Sequence, residues 1–263
     1  MRPDPCSTAL TDLAGVLMVH VQGYPAGATF PSCLADVRAG TAALVVRRLA
    51  TCVAGDVNCA AANPGQIYFQ SSLCNSELAN LAITTHYAVA YQPSSGTGPF
   101  GLTQHDCHTQ APLRAYVVHI YFVAGNNEPG DGVPTLKRAE LGADGTFTIV
   151  PLVEGIENLQ LEYGVDGNGD SSPDVVNADP GSLNGCVLDT CYIANWVNVM
   201  SVNVHLLSRA SEGSAGYVDR KSYALGTNPD GTNLVVGPFY DRYKRHAYQQ
   251  TIRFNNPAQR RQG

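Results

Sequence analysis

Between Glu157 and Val165 the apolar residues Leu159, Leu161, Tyr163 and Val165 alternate with the polar Gln160 and Glu162. A period of two sorts side chains onto opposite faces only in an extended strand. The run therefore predicts a half-buried antiparallel strand with one core face and one wet face. The pattern returns from Trp196 to Arg209, with Met200, Val202, Val204 and Leu206 inward and Ser201, Asn203 and His205 outward. In this reading Trp196 opens the strand and serves as a core anchor. Near the end, residues 244–256 put Tyr248, Ile252 and Phe254 on one face, which predicts a closing strand.

Upstream the signals are of the same kind. Residues 113–124 are rich in β-branched and aromatic side chains and apolar on both faces, the pattern of a central strand. Strand-like runs at 135–141 and 146–153 flank Gly142-Ala-Asp-Gly145, a D-G turn that predicts a hairpin. Residues 42–49 read as a strand, as do Ile67 to Gln70 and an alternating stretch from Thr84 to Tyr91. Leu13 to Val21 is compatible with strand or helix. With 26 Gly and 16 Pro in 263 residues, tight turns between short strands are favoured over helical bundles. The expected fold class is α+β and predominantly β, with antiparallel sheets, long loops and little helix. It forms one domain over 1–263, variable and loop-rich at about 50–112, with a frayed tail at 257–263.

Eight cysteines, an even number with no C-x-x-C pair, point to an oxidising compartment. Short spacings suggest bridges Cys52–Cys59 and Cys186–Cys191, the second pinning the loop before Trp196. Cys6 with Cys33 and Cys74 with Cys107 are assigned as the remaining pairs. Sixteen basic against twenty-two acidic side chains, with no basic cluster among aromatics, exclude a nucleic-acid footprint. The N-terminus has neither a basic n-region nor an apolar h-region, so an export segment is expected ahead of it.

Asp166-Gly-Asn168-Gly-Asp170-Ser-Ser-Pro-Asp174 sets oxygen side chains at alternate positions, as calcium loops do for a cation that takes six to eight oxygens. Asp166, Asn168, Asp170 and Asp174 are the candidate Ca2+ ligands. The match to an EF-hand is partial: Ser171 stands where Gly is expected and Asn177 where the bidentate Glu is expected, so Asp174 or Asp179 would have to be recruited. The alternative is a turn, since Asp, Asn and Gly also build Asx turns. His105, Cys107 and His108 offer zinc-type ligands, but Cys107 is wanted for a bridge. No G-x-S-x-G elbow, H-E-x-x-H helix or P-loop is present, so no catalytic residue or organic cofactor is assigned.

The order of an apolar strand, the run Leu152 to Asp166, an Asp/Asn-rich loop, the run Trp196 to Val204 and the ending Tyr243 to Asn256 resembles the PilW family of type IV pilus minor pilins. The likeness is clearest at Ala42–Leu49 and over about 113–256. GspJ-type pseudopilins of type II secretion share a run similar to 152–166. The resemblance implies a pilin-like globular head carried by an apolar N-terminal helix, which would hold the protein in the inner membrane before assembly. It also implies a non-enzymatic role in priming filaments or near their tip at the cell surface. Other minor pilins, the major pilin and a tip adhesin are the implied partners. A secreted carbohydrate-binding or carbohydrate-hydrolysing protein is the alternative from another class.

Overall fold

The computed structural model describes residues 3–80, 86–96, 98–255 and 257. With 37% strand and 11% helix, the molecule is α+β and mostly β. A short helix α1 (Leu10–Gly15) precedes β1 (Val21–Tyr24) and β2 (Ala43–Leu49). Next come β3 (Ile67–Ser71), a single helical turn α2 (Asn75–Leu78), β4 (Tyr87–Tyr91) and β5 (Arg114–Ala124). Thr84 and Thr85, the start of the stretch expected around β4, lie outside the described residues.

Strand β5 is central, as its two-sided apolar pattern predicts. Along one edge it pairs with β2, and β2 with β1. Its other edge is divided between β3 at its start and β6 (Thr135–Leu141) at its end. β6 continues through the expected D-G turn into β7 (Phe147–Glu154), while β3 pairs β4. All these pairings are antiparallel. One face of this first sheet buries Val45, Val118, Ile120 and Phe122 beneath the N-terminal segment, which contributes Leu10, Leu13, Phe30 and the Cys6–Cys33 bridge.

The second sheet has the order β13-β10-β8-β9, from β8 (Ile156–Val165), β9 (Val175–Asn177), β10 (Val199–Arg209) and β13 (Arg245–Arg253). Its apolar face, with Leu159, Leu161, Tyr163 and Val202, meets Val21, Ala42 and Val123 of the first sheet. Gly23 is required at this junction. A β-carbon there would lie 2.2 Å from the Tyr163 hydroxyl, whose ring stacks edge-on against Trp196 at 4.8 Å between centroids.

Three expectations are corrected. Trp196 does not begin β10; it lies fully buried near the end of helix α3 (Asp189–Val197), which follows a 3₁₀ segment, Pro180–Gly185. Gln160 and Glu162 are not on a wet face, nor does His205 point to solvent: all three are buried. The cause for the Glu162–His205 pair is a third sheet, the hairpin β11 (Tyr223–Thr227) and β12 (Asn233–Val236), laid over β8 and β10. Leu207, Tyr223 and Leu225 form a small core beneath it. Strand β8 is therefore buried on both faces instead of half-buried.

The closing strand β13 is present and pairs with β10 from Ser201–Arg253 to Arg209–Arg245 without a bulge. Its residues 246–253 are exposed throughout. Tyr248 and Ile252, 55% and 47% exposed, continue the apolar face of β10 past the point where the first sheet covers it.

Candidate functional site

The Asp166–Asp174 loop leaves the end of β8 and returns to β9. Asp166 is buried, and its two carboxylate oxygens accept from Gly169 N at 2.6 Å and Ser171 N at 2.9 Å. Asp174 accepts from Gly167 N, Asn168 N and Asn168 Nδ2 at 2.7–3.1 Å, and Asp170 accepts from Ser172 N and Asn168 Nδ2. The four predicted residues are thus brought together in one loop, but as a nest of Asx turns whose carboxylates face main-chain N–H groups. Ser171, where an EF-hand has glycine, adopts the left-handed backbone at φ +72. Among the described residues no three His, Cys, Asp or Glu side chains are grouped as a metal cage. Asp179 stands at the N-cap position of the 3₁₀ segment Pro180–Gly185, and its main-chain N–H donates to Asn177 Oδ1. From β13, Arg253 Nη2 donates to Ser171 O at 3.1 Å, tying the loop to the end of that strand.

All four disulfides are formed: Cys6–Cys33, Cys52–Cys59, Cys74–Cys107 and Cys186–Cys191. Cys107 is consequently withdrawn from any zinc site with His105 and His108. The Cys186–Cys191 bridge presents Val187 at 88% exposure at its tip, immediately before α3.

Two polar clusters had no local sequence signal. In the first, His205 Nε2 lies 2.9 Å from Glu162 Oε2, and Thr227 Oγ1 donates to Glu162 Oε1 at 2.7 Å. Burial alone would raise the Glu162 pKa, but the hydrogen bonds from Thr227 and His205 outweigh it and hold the carboxyl below its ordinary range. Gly226 closes over the pair with φ +85; a β-carbon there would sit 2.8 Å from His205 Nε2. The cluster fastens the β11–β12 hairpin to the second sheet.

The second cluster centres on Arg245, whose side chain is 1% exposed and bonds to Glu157, Asp219 and Asp241. Its guanidinium also lies 3.8 Å from the Phe239 ring centre, and Tyr223 donates its hydroxyl to Asp219. Burial by itself would lower the Arg245 pKa; the three carboxylates reverse this and raise it. Burial together with the Asp219 hydrogen bond pushes the Tyr223 hydroxyl up to about 12. Glu157 is also met by Arg38 at 3.1 Å and Arg209 at 3.7 Å, so three cations face the three carboxylates and lock separate chain segments together.

Elsewhere a groove of about 820 Å³ runs between Leu17, Met18, Val46, Phe69, Tyr87 and Phe254. No helix among the described residues is long and apolar enough to cross a membrane.

No curated protein and no solved structure matches this chain. A family model does: that of PilW, type IV pilus-assembly protein W, over residues 120–256. The match starts inside β5 and takes in β6 to β13, the Asp166 loop and the Arg245 cluster, while the β2 strand that also carried the resemblance falls outside it. Because it spans more than half of the sequence and every strand of the second sheet, the chain belongs to the PilW family of type IV pilus-assembly proteins.

Proposed function

We propose that the chain is the globular head of a type IV pilus minor pilin, which primes filament assembly or sits near the tip with other minor pilins, the major pilin and an adhesin. The observation that carries this reading is the family match across the whole of the second sheet. The family is one of pilus assembly and not of enzymes. The architecture supports a docking role, since antiparallel sheets leave main-chain donors and acceptors at their outer strands, where neighbours can add. Four disulfides suit a head that works outside the cytoplasm, in the periplasm before assembly and at the cell surface afterwards.

The test is genetic and chemical. Deleting the gene in its native host is expected to abolish or thin surface pili, and photo-cross-linkers on exposed positions of β7 are expected to capture pilus subunits. Intact pili with blocked protein export would move the assignment to a GspJ-like pseudopilin. Normal piliation together with normal export would overturn both.

Calcium binding by Asp166, Asn168, Asp170 and Asp174 is a separate proposal. Asp174 Oδ2 accepts from two N–H groups, but Asp174 Oδ1 and both Asp170 oxygens accept one each, and the remaining lone pairs are what a hard cation would use. Millimolar calcium is expected to raise Tm, and Asp166→Ala with Asp170→Ala to remove that rise. An unchanged Tm would leave the loop as a set of Asx turns.

A further inference from the structure

Sheet edges in soluble proteins are normally guarded by brevity, charge, proline or a bulge. The outer strands here follow that rule with one exception. β1, β9 and β12 have four, three and four residues, and β4 has five. β7 carries Pro151, ends on Glu154 and faces a register shift at Leu136/Lys137. β13 has nine residues, no proline, no glycine and no bulge. From His246 to Ile252 it bears no formally charged side chain, and Arg253 at its end is turned back onto Ser171.

The direction of its main-chain groups follows from the ladder. Phe254 N donates to Met200 O, and Ala210 N to Lys244 O, so even-numbered residues of β13 spend their N–H and C=O on β10. By the alternation of an antiparallel ladder, Ala247, Gln249, Thr251 and Arg253 turn theirs to the free edge. Tyr248 and Ile252 stand on the face shared with Leu206 and Val202, their cross-strand partners, and extend an apolar stripe into solvent.

The geometry points to a second copy of this chain as the occupant of that edge, joined β13 to β13 about a two-fold axis at Gln250. In this register Gln249 exchanges both hydrogen bonds with Thr251 of the other copy, and Ala247 with Arg253. Tyr248 and Ile252 are four residues apart, so the axis places each opposite the other in the non-hydrogen-bonded positions, where side chains approach most closely. One strand supplies both halves of an aromatic–β-branched pair, twice per interface. The uncharged stretch from His246 to Ile252 lets two identical strands meet without like-charge repulsion. The two apolar faces become continuous across the joint. This pairing is a property of the chain itself and does not depend on the pilus reading.

Sedimentation velocity over micromolar to millimolar protein tests it. The wild-type chain is expected to dimerise with concentration. Tyr248→Lys with Ile252→Lys sets lysine opposite lysine and is expected to give a monomer whose Tm matches that of the wild type at dilutions where the wild type is itself monomeric. Tyr248→Lys with Ile252→Glu sets lysine opposite glutamate and is expected to restore the dimer, a rescue that a merely sticky surface would not show. A wild-type chain that stays monomeric throughout, or a dimer indifferent to the double lysine variant, would overturn the proposal; the first result would leave the edge to a strand of a different partner.

Discussion

Arg245 shows how much of this molecule rests on single charges placed out of water. Its partners Glu157, Asp219 and Asp241 lie 88, 26 and 4 residues away in the chain. Removing the guanidinium leaves Asp219, itself 0% exposed, without its counter-charge. Arg245→Met is expected to cost about 3–5 kcal/mol, read from urea unfolding. The pH dependence has a definite sign. For Asp219 burial raises the pKa, but hydrogen bonds from Arg245, Lys221 and Tyr223 prevail; for Asp241 the Arg245 hydrogen bond leads; both folded values fall below the ordinary 3.8. Such groups add stability at pH values above 3.8 and lose it as the pH falls through their folded values. Tm is therefore expected to drop below about pH 4, and to drop less in Asp219→Asn. None of this was legible beforehand, because a charge cluster assembled across 88 residues leaves no periodic trace. The candidate loop was legible as a set of neighbours, Asp166 to Asp174, since its contacts are local; what sequence left open was the direction of each carboxylate.

At the scale of elements, strands with strict alternation or a two-sided apolar run were read at nearly their observed bounds: β2, β3, β5, the β6–β7 hairpin, β8 and β13. What failed was the assignment of faces. Gln160, Glu162 and His205 have the polarity of a wet face, yet a hairpin from residues 223–236 covers the Glu162–His205 pair and supplies Thr227 as a donor. Polar alternation cannot distinguish solvent from a polar lid. Trp196 was misplaced for a related reason: helix α3 runs into β10 with only Asn198 between them, so the apolar residues of the two elements read as one run. The lid is sensitive at Gly226, where positive φ and the nearby His205 ring both exclude a side chain. Gly226→Ala is expected to destabilise by about 1–3 kcal/mol and to speed hydrogen exchange in β11 and β12 before β5.

Across the whole molecule, covalent and non-covalent order are divided between regions. Three of the four bridges lie at or before Cys107, in the segments that cover or decorate the first sheet, and the second sheet carries none within its strands. Reduction with dithiothreitol is accordingly expected to lower Tm and to raise hydrogen exchange first in residues 3–80, leaving the β8–β10–β13 ladder protected longest. In a chain-entropy estimate, cutting Cys74–Cys107, which spans 33 residues, alone releases about 3–4 kcal/mol of constraint. Length and composition announced an oxidised, strand-built protein; they did not announce that three of its four cross-links would gather with the first sheet.

Those cross-links also fix how the protein answers a pull. A chain drawn out from its ends cannot lengthen through a closed loop, and the Cys74–Cys107 bridge by itself withholds roughly 110 Å of contour at the reach of an extended backbone. Under tension the bridged segments before Cys107 would give way only in short, bounded steps, whereas the unbridged stretch between Cys107 and Cys186 can be drawn out in full.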